Sequence, residues 1–546
     1  MPLRDRPKIG GKVFLRRGPS SAPFSFLMIL RYSRTCQMHA DKYYLKLGFS
    51  PDLKGIDRAI YRALEIFPGA LAWATLLGMV LASYFFPVYA AFFIIIFDLY
   101  WLVKTVFLSL HLRANAKRLK ENLKTDWLDR LKNLKTEHIW HLVILPMANE
   151  SYEVVKSSVK AISKNAWPKG RVILALSYEE NYQEHGKKIT DKVKEEFGEI
   201  FPNLLITMHP KNLDGEAPGK GSNIAWAGRE AKKHFIDNKN IHYENIIVSC
   251  FDVDTQISPQ YFEILTWHFL TAKTPVRSSY QPIPVFNNNI WDAPALSRVV
   301  ATSCTFWQMM QQERPERLTT FSTHSMSFKT LADLNFWQTN IVSEDSRIFW
   351  NSLLLYDGEY ESVPLSYPVS MDANLAPTFW RTVKNVYKQQ RRWAWGVENF
   401  PYVVFGFLKN KKIPFRTKAY YVFNMIEGYW SWSTNAILLF ALGWLPVLLG
   451  GREFNNLVLA YNLPTITRTI MTFAMVGLIT SAIISMQLLP PRPPHYGRFR
   501  TASMIIQWIL VPFTVVAFGA IPALDAQTRL MLGKYMGFWI TPKHRK

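Results

Sequence analysis

Long apolar stretches lie near both ends of the chain and are absent from its middle. Residues 66–97 contain no charged side chain, and Pro87 divides them. A bilayer core about 30 Å thick needs about 20 apolar residues for each crossing helix. The pattern therefore predicts a transmembrane hairpin with helices at roughly 65–85 and 88–109.

Apolar stretches return towards the end of the chain, at about 430–450, 469–489 and 501–523. Each is close to the length of one membrane crossing, so the pattern predicts about three further transmembrane helices. With the hairpin this makes about five crossings, an odd number that would put the C-terminus on the side opposite the middle of the chain.

Between these stretches, short apolar runs alternate with helical patterns. Residues 142–145, 172–176, 204–206 and 246–248 are typical of buried strands, and residues 154–162 have the spacing of an amphipathic helix. Strands separated by helices indicate βαβ units. We therefore expect an α/β fold with a mostly parallel, Rossmann-like sheet that is covered on both faces.

Positive charge is concentrated beside the predicted membrane helices. Lysine and arginine outnumber aspartate and glutamate by 64 to 41, which gives a net charge of +23. Basic clusters at 409–418 and 492–500 mark the cytosolic side of the membrane, which the middle domain shares. We expect a multi-pass plasma-membrane protein that contacts membrane lipids and binds no nucleic acid. The basic residues at 543–546 conflict with five crossings, so the number of crossings stays open.

The pattern divides the chain into seven segments. They are a basic cytosolic tail (1–64), a transmembrane hairpin (65–110), a cytosolic linker helix (111–137), a catalytic α/β domain (138–400), a basic interfacial segment (401–428), the helices at 429–523 and a C-terminal tail (524–546). Residues 1–37 are expected to be disordered, or an extension upstream of a true start at Met38. The three cysteines follow no metal-ligand spacing.

Asp252-Val253-Asp254 directly follows the apolar run 246–251, and Ser258-Pro259 comes next as a favourable start for a helix. The two acids are therefore expected at the carboxyl end of a central strand, where open α/β sheets bind ligands. Carboxylates on such a tip can hold Mg²⁺ together with substrate phosphates. Taken alone, the motif is better explained by a solvated turn, because D-x-D arises by chance about once in a chain of this length.

Ser343-Glu344-Asp345 precedes the helical pattern 347–355. Acidic side chains in a first turn stabilise a helix without any further role. The functional alternative makes Asp345 a general base within reach of an acceptor hydroxyl.

Gln389-Gln390-Arg391-Arg392-Trp393 is the most specific local signal. On a helix, Gln389, Arg392 and Trp393 share one face. That face offers an amide, a guanidinium suited to phosphate and an aromatic platform. The alternative is an amphipathic helix at the membrane interface, with Trp393 and Trp395 as anchors.

The order D-x-D, then S/T-E-D, then Q-x-x-R-W, flanked by membrane helices, resembles family 2 glycosyltransferases such as cellulose, hyaluronan and chitin synthases and ceramide glucosyltransferases. The resemblance covers roughly residues 138–400. Leu145-Pro146 with Asn149-Glu150 is similar to the family's first strand and nucleotide-binding turn. Residues 219–223 are similar to its glycine-lysine segment, and residues 281–288 to the stretch after its metal motif.

The resemblance implies a GT-A fold and an inverting transfer from a nucleoside-diphosphate sugar. Asp252 would hold the nucleotide end of this donor, and Asp254 a Mg²⁺ or Mn²⁺ ion on its diphosphate. Asp345 would accept the proton of the acceptor hydroxyl, with Glu344 beside it. The implied donor-binding residues also include Asn149, Glu150 and Lys220, and the acceptor entrance would be lined by Gln389, Arg392 and Trp393.

The sequence departs from the family after the second strand, where the family usually has an aspartate pair that contacts the nucleotide base. That place reads Leu176-Ser177-Tyr178-Glu179-Glu180. Glu179 or Glu180 would substitute, which leaves the choice between UDP and GDP open. His324 lies where the family shapes its sugar and acceptor pocket, and a buried core histidine is an equal alternative.

The leading hypothesis is a membrane glycosyltransferase that uses a UDP-sugar to extend a polysaccharide, with export of the product as an open question. The first alternative transfers a single sugar to a membrane lipid. The second is a non-catalytic, transferase-like scaffold, which the intact acidic and Q-x-x-R-W motifs disfavour.

Overall fold

The computed structural model describes residues 42–545, apart from the side chains of residues 476, 478 and 479. The expectations for residues 1–37 therefore lie outside the described residues. Two long helices come first, joined at Pro87, and a short helix follows them. They are α1 (Gly55–Phe85), α2 (Pro87–Lys124) and α3 (Trp127–Leu131).

One eight-stranded sheet follows in the middle of the chain. Its strands are β1 (Trp140–Met147), β2 (Val172–Glu179), β3 (Leu204–His209), β4 (Ile246–Cys250), β5 (Gln256–Ile257), β6 (Ser278–Val285), β7 (His324–Ser327) and β8 (Glu361–Ser370). Their order across the sheet is β3-β2-β1-β4-β7-β6-β8-β5. The four strands predicted from apolar runs are the first four of this order.

The sheet is mixed but mostly parallel. β1 pairs in parallel with β2 and β4, β2 with β3, and β6 with β8. β7 runs antiparallel to both β4 and β6, and β5 runs antiparallel to β8. The predicted α/β fold class is confirmed.

Eight helices accompany the strands. They are α4 (Tyr152–Ser163), α5 (Gln183–Phe197), α6 (Lys220–Ala231), α7 (Tyr261–Thr271), α8 (Ala295–Gln312), α9 (Phe328–Asp333), α10 (Glu344–Leu355) and α11 (Phe379–Ala394). The helix predicted to start with Ser258 as its N-cap begins two residues later, with Gln260 as the N-cap. The delay arises because β5 first pairs with β8 and the Ser258 hydroxyl donates to Pro368 O at 2.9 Å.

Alternate side chains of β1 belong to two different apolar clusters. Val143 and Leu145 pack with α4 and α7, whereas Leu142 and Ile144 pack with α6 and α9. A strand with apolar side chains on both faces needs cover on both faces, which explains its continuous apolar run. Helices therefore pack on both faces of the sheet, and the residues that follow the carboxyl ends of the strands extend from this packed core.

The remaining helices follow the sheet domain. They are α12 (Asn399–Lys409), α13 (Phe415–Ile437), α14 (Leu445–Leu449), α15 (Gly451–Asn455), α16 (Val458–Gln487), α17 (Arg498–Ile506), α18 (Val511–Val515) and α19 (Ile521–Met531). Short 3₁₀ and π turns join α17, α18 and α19 into one helical stretch.

Within residues 42–545, four helical stretches are long and apolar enough to cross a membrane. They are Gly55–Phe85, Pro87–Lys124, Val458–Gln487 and Arg498–Met531. The predicted helix at 430–450 is not among them. The segment is divided, since α13 ends at Ile437 and a π turn at Leu438–Leu442 separates it from the short helix α14.

Contacts at the two ends of the α1–α2 hairpin show which end lies beside the sheet domain. The turn at Pro87 forms one end of the α1–α2 hairpin, and a Cβ added to Gly450 would lie 2.7 Å from the Pro87 Cβ. At the other end, Tyr61 of α1 donates to Gly48 O at 3.0 Å. The neighbouring Leu47 O accepts from Arg347 of α10 at 3.1 Å, which ties the start of α1 to the sheet domain.

The stretch Arg498–Met531 contacts the sheet domain at its beginning and in its middle. Arg500 Nε donates to Trp291 O at 3.0 Å, and the Gln507 side chain accepts from Arg298 of α8 at 2.6 Å. Its end lies beside the start of α1, where Arg62 Nη1 donates to Leu530 O at 2.9 Å. The C-terminal tail, residues 532–545, therefore leaves this stretch on the side of the sheet domain.

Candidate active site

The acidic motifs predicted from sequence gather at the carboxyl edge of the sheet. Asp252 and Asp254 follow β4, and helix α10 begins with Glu344 and Asp345. Strands that run in parallel end at the same edge, which is where open α/β sheets bind ligands. We call the four residues Asp252, Asp254, Glu344 and Asp345 the acidic edge.

Asp252 is held by polar groups from three segments. Its Oδ1 accepts from Lys220 Nζ at 2.6 Å, and its Oδ2 accepts from the Ser322 hydroxyl at 2.6 Å. Its backbone N–H points at the Thr323 hydroxyl, 3.4 Å away. Burial alone would raise the pKa of Asp252, but the ammonium groups of Lys220 and Lys543 outweigh it and hold the pKa well below its ordinary value. The side chain is a fixed carboxylate at neutral pH.

Lys220 links the two acidic motifs. It is the first residue of α6, and its ammonium group lies 2.6 Å from Asp252 and 3.7 Å from Glu344. The preceding Gly219 has φ +144° and ψ −172°, a backbone conformation that is essentially restricted to glycine. This turn directs the Lys220 side chain to the acidic edge.

Asp345 is oriented by backbone groups. Its two carboxylate oxygens accept from the N–H groups of Ser322 at 3.0 Å and Ser346 at 2.8 Å. It is half-buried, whereas the neighbouring Glu344 is buried. Burial, only partly opposed by Lys220, raises the pKa of Glu344 to about 8. Asp345 is thus the more accessible carboxylate of the pair, and Glu344 carries a proton at pH 7.

Asp254 is completely buried and only partly hydrogen-bonded. Its Oδ2 accepts from the Asp372 backbone N–H at 2.8 Å and from Lys543 Nζ at 2.7 Å. Its Oδ1 has no hydrogen-bond partner among the described residues. A buried carboxylate oxygen without a partner is costly unless a ligand satisfies it.

Three further charged residues of this site were not assigned to it from sequence. Asp372 follows β8 and is buried, and Arg545 of the C-terminal tail donates to it at 2.7 Å. In the sequence, Lys543 belongs to the basic residues 543–546, whose side of the membrane depends on the number of crossings. A basic cluster at the end of a chain with an even number of crossings could have pointed to the acidic edge.

Asn149 and Glu150 lie at the same edge of the sheet, after β1. Asn149 is exposed, and the Glu150 carboxylate accepts from the Ala148 N–H at 2.7 Å. Burial raises the pKa of Glu150, while the positive charge of Lys543 opposes that rise. Glu150 therefore lies close to the charges around Asp254.

Glu179 and Glu180, at the end of β2, point to different partners. Burial raises the pKa of Glu179, and the Gly219 N–H and His209 oppose that rise. Glu180 accepts from the Lys211 backbone N–H at 3.0 Å. Glu179 thus faces the glycine-lysine turn of the site, and Glu180 is engaged with the loop after β3.

The Q-x-x-R-W residues lie on α11, as the helical pattern predicts. Gln389 and Trp393 line a small cavity together with Phe286, Asp372 and Asn374. Trp393 packs on Phe286 and Phe321, with ring centroids 5.8 Å apart in each case. The cavity therefore combines an aromatic wall with polar groups and adjoins the acidic edge through Asp372.

Arg392 lies against the C-terminal tail. Its guanidinium carbon is 5.1 Å from the ring centroid of Phe538, and its positive charge reaches Glu344. A Cβ added to Gly219 would lie 2.7 Å from the Phe538 ring. The tail therefore packs between α6 and α11, at the mouth of the site.

The alternative of a membrane-interface helix is wrong for Trp395. Its ring is completely buried, and its Nε1 donates to Glu398 at 2.8 Å.

His324 lies on the central strand β7 and is also completely buried, beside Trp337. Its Nδ1 is 3.1 Å from Ser322 O, while its Nε2 has no partner among the described residues. Burial lowers the pKa of His324 to about 4, so the ring is neutral at pH 7.

The residues of the site can accommodate a divalent cation. In the described part of the chain, three or more metal-ligating side chains nowhere cluster into a complete protein site. Mg²⁺, however, usually takes one or two carboxylates and completes its shell with phosphates and water. Asp254, with one unsatisfied and completely buried oxygen, fits such a site.

Known proteins resemble the chain at the level of a family and of solved structures. The model of "Glycosyl transferase family group 2" matches residues 247–520. None of the curated proteins matches the chain. The mannosyltransferase PcManGT from Pyrobaculum calidifontis, in complex with GDP-Man and Mn²⁺, is 14% identical over 72% of this chain and 99% of its own, with a TM-score of 0.36. S. aureus TarS 1–349, in complex with UDP-GlcNAc, is 10% identical over 65% of this chain and 93% of its own, with a TM-score of 0.35.

The family match begins within β4 and runs through the acidic edge, α11 and α16 to the helical stretch near the C-terminus. It includes Asp252, Asp254, Glu344, Asp345 and the Q-x-x-R-W residues, and it spans half of the chain. The chain belongs to glycosyl transferase family group 2.

Proposed function

We propose that the protein is an inverting membrane glycosyltransferase that moves a sugar from a nucleotide-sugar donor, a UDP-sugar in the first instance, to a growing polysaccharide. The observation that carries this proposal is the convergence of both acidic motifs on Lys220, 2.6 Å from Asp252 and 3.7 Å from Glu344. Residues that lie about 90 positions apart in sequence thereby form one charged site at the carboxyl edge of the sheet.

The donor would lie along the carboxyl edge. Asp252 is a rigid acceptor for the hydroxyl or amide donors of a nucleotide, because Lys220 and Ser322 fix both of its oxygens. Asn149 and Glu179 border the same edge and would face the nucleotide base. Asp254 would hold a Mg²⁺ or Mn²⁺ ion, which supplies positive charge to the diphosphate as it leaves.

Asp345 would act as the general base. Its carboxylate is fixed by two backbone N–H groups and remains partly accessible, as proton transfer from a bound hydroxyl requires. In the transfer, the acceptor oxygen bonds to the anomeric carbon while the bond from that carbon to the donor diphosphate breaks. The hydroxyl proton passes to Asp345, and the electron pair of the broken bond leaves with the nucleoside diphosphate.

The acceptor would enter over α11. The aromatic rings of Phe286 and Trp393 lie there beside the polar side chains of Gln389 and Asn374, a combination of groups that suits the apolar faces and the hydroxyls of a sugar. Arg392 lies on the same helix and would interact with the diphosphate. These features support a carbohydrate acceptor.

A lipid acceptor is the second candidate, and one observation favours it. Phe67, Leu71, Phe400, Tyr429 and Trp430 line an apolar recess between α1, α12 and α13. This apolar surface would border the acyl or prenyl chain of a lipid acceptor whose polar head group receives one sugar.

We also propose that the sheet domain faces the cytosol at the plasma membrane. Basic residues at 409–418 and 492–500 lie next to the helical stretches on the side of this domain. A cytosolic orientation gives the site access to nucleotide sugars.

A donor screen tests the proposed function. Purified protein is incubated with labelled UDP- and GDP-sugars in the presence of Mg²⁺ or Mn²⁺, and the products are separated by size. A ladder of soluble or membrane-bound polymers is expected. A single lipid-soluble product would show that the acceptor is a lipid and not a polysaccharide. Absence of transfer from every donor would contradict an enzymatic role.

A further inference from the structure

Asp372 belongs to the immediate surroundings of Asp254, although 118 residues separate them. Its backbone N–H donates to Asp254 Oδ2 at 2.8 Å. The Asn288 amide bridges the two residues, since it donates to Asp254 O at 3.0 Å and to Asp372 Oδ1 at 2.9 Å. These contacts hold the two residues side by side, and the charge of the Lys543 ammonium interacts with both carboxylates.

Both carboxylates are buried, and both are neutralised by the same short segment. Lys543 Nζ lies 2.7 Å from Asp254 Oδ2, and Arg545 donates to Asp372 Oδ1 at 2.7 Å and to Oδ2 at 3.0 Å. The charge of Lys543 is attracted by Asp254, Asp372 and Asp252 together. Buried carboxylates need such partners, because desolvation of an unpaired charge is very unfavourable.

The charge of this arrangement equals that of one divalent cation. The two tail side chains carry two positive charges, and they neutralise two carboxylates. Asp254 Oδ1 still lacks a partner, although its side chain is completely buried. Mg²⁺ usually takes one or two carboxylates from the protein, and phosphates and water complete its shell. Asp254, with its unpartnered oxygen, and Asp372 are two such carboxylates.

We propose that Asp372 and Asp254 together ligate one divalent cation, and that Lys543 and Arg545 neutralise the same two carboxylates when that cation is absent. This inference rests on the proposed function for the metal role of Asp254 and adds Asp372 as a second ligand. The tail and the cation exclude each other. A divalent cation on the Asp254 carboxylate would lie close to Lys543 Nζ, which is 2.7 Å from Oδ2, and the two positive charges would repel each other.

Mn²⁺ binding tests the pair of ligands without any donor or turnover. The full-length protein in detergent is titrated with Mn²⁺, and free Mn²⁺ is measured by electron paramagnetic resonance. Asp372→Asn is expected to lower the affinity about 10- to 100-fold. Asp129→Asn, an exposed aspartate remote from the site, should bind as the wild type does.

A variant of the C-terminal tail supplies a second measurement, in which no completely buried side chain is replaced. Arg545→Ala removes the competitor of the cation from a segment outside the helices, so it should raise the affinity for Mn²⁺ several-fold. Addition of Mn²⁺ to the wild type should also speed hydrogen exchange of the backbone amides at 538–545. An unchanged affinity in Arg545→Ala, or unchanged exchange in the tail, would overturn the competition between tail and cation.

Asp254→Asn separates this inference from the proposed function. If Asp254→Asn loses Mn²⁺ binding and Asp372→Asn retains wild-type affinity, Asp372 is not a ligand and the metal role of Asp254 stands. If Asp254→Asn itself retains wild-type affinity, the metal site of the proposed function is wrong.

Discussion

Lys220 is the side chain on which both acidic motifs of the candidate active site converge. Its first-turn position on α6 brings a buried positive charge to Asp252 and Glu344. Sequence reasoning placed Lys220 at the donor but did not connect it with Glu344. At the level of residues, Lys220 therefore couples the two acidic motifs, as the partner of the Asp252 carboxylate and a close neighbour of Glu344.

The protonation of Glu344 predicts how the stability of the protein depends on pH. Burial raises the pKa of Glu344 from 4.5 to about 8, so the folded protein binds this proton more tightly than the unfolded chain does. The resulting stabilisation is complete below pH 4.5 and is lost as the pH rises to about 8, at roughly 1.4 kcal/mol per pH unit at most. Glu344→Gln cannot lose a proton and escapes this loss. Its melting temperature relative to the wild type should therefore increase from pH 5 to pH 8 and then level off.

Thermal scans of tryptophan fluorescence in detergent measure this difference. Glu316→Gln is the matched control, because the Glu316 side chain is 50% exposed. The control should follow the wild type across the same pH range. A constant difference between Glu344→Gln and the wild type at every pH would show that Glu344 is already ionised in the folded protein.

The turn before α6 is the element that directs Lys220 to the acidic edge. Gly219 adopts φ +144°, and a Cβ there would lie 2.7 Å from Phe538. Gly219→Ala should reduce the free energy of unfolding by about 1–3 kcal/mol and weaken donor binding, because the turn must shift Lys220 away from Asp252. Calorimetric titration with donor and chemical denaturation measure the two effects.

Gly170→Ala is the control for this turn, since a Cβ at Gly170 meets no atom within 4 Å. Adding Phe538→Ala to Gly219→Ala relieves the contact but leaves the backbone strain, so the double variant should stay destabilised. Full recovery in the double variant would mean that the contact with Phe538, rather than the backbone conformation, requires a glycine at this position.

The first four strands could be predicted from sequence because each contains a run of apolar residues. β1, β2 and β4 are buried on both faces, whereas alternate residues of the edge strand β3 are only partly buried. Strand β7 could not be predicted, although it lies in the centre of the sheet. Its sequence is His324-Ser325-Met326-Ser327, and its polar groups are satisfied by neighbours, as in the hydrogen bond between Ser325 and Ser249 at 2.8 Å. A buried strand with this composition looks like a loop until its partners are known.

The residues of the candidate site also fall into two groups, those that could be predicted from sequence and those that could not. Asp252, Asp345 and Arg392 belong to local motifs with a fixed order, and a resemblance could name them. Asp372 and Lys543 are single residues that reach the site only through the path of the chain. A local motif does not show which distant residue reaches the site, so neither residue was assigned to it from sequence.

At the scale of the whole molecule, the tail returns to the sheet domain, which requires an even number of crossings. The stretch Arg498–Met531 is long and apolar enough to cross. Its beginning contacts Trp291, its middle contacts Arg298 and its end contacts Arg62, all on the side of the sheet domain. We expect this stretch to lie along that side of the membrane, and α13 with α14 to provide the crossing before α16.

Labelling of single cysteines with a membrane-impermeant reagent tests this arrangement. In a chain whose native cysteines are replaced by serine, Arg498→Cys and Leu532→Cys should react from the same side as Lys187→Cys on the sheet domain. Arg452→Cys, near the Pro87 turn, should react from the opposite side. Reaction of positions 498 and 532 from opposite sides would establish that the stretch crosses the membrane.

The central claim is that the acidic edge transfers a glycosyl group with Asp345 as its base. Sugar transfer and donor binding should be measured on the same preparations of the wild type, Asp345→Asn and the exposed control Asp129→Asn. We expect Asp345→Asn to lower the transfer rate roughly 10²–10⁴-fold while donor affinity stays close to that of the wild type, and Asp129→Asn to change neither. Transfer by Asp345→Asn at the wild-type rate would contradict the claim.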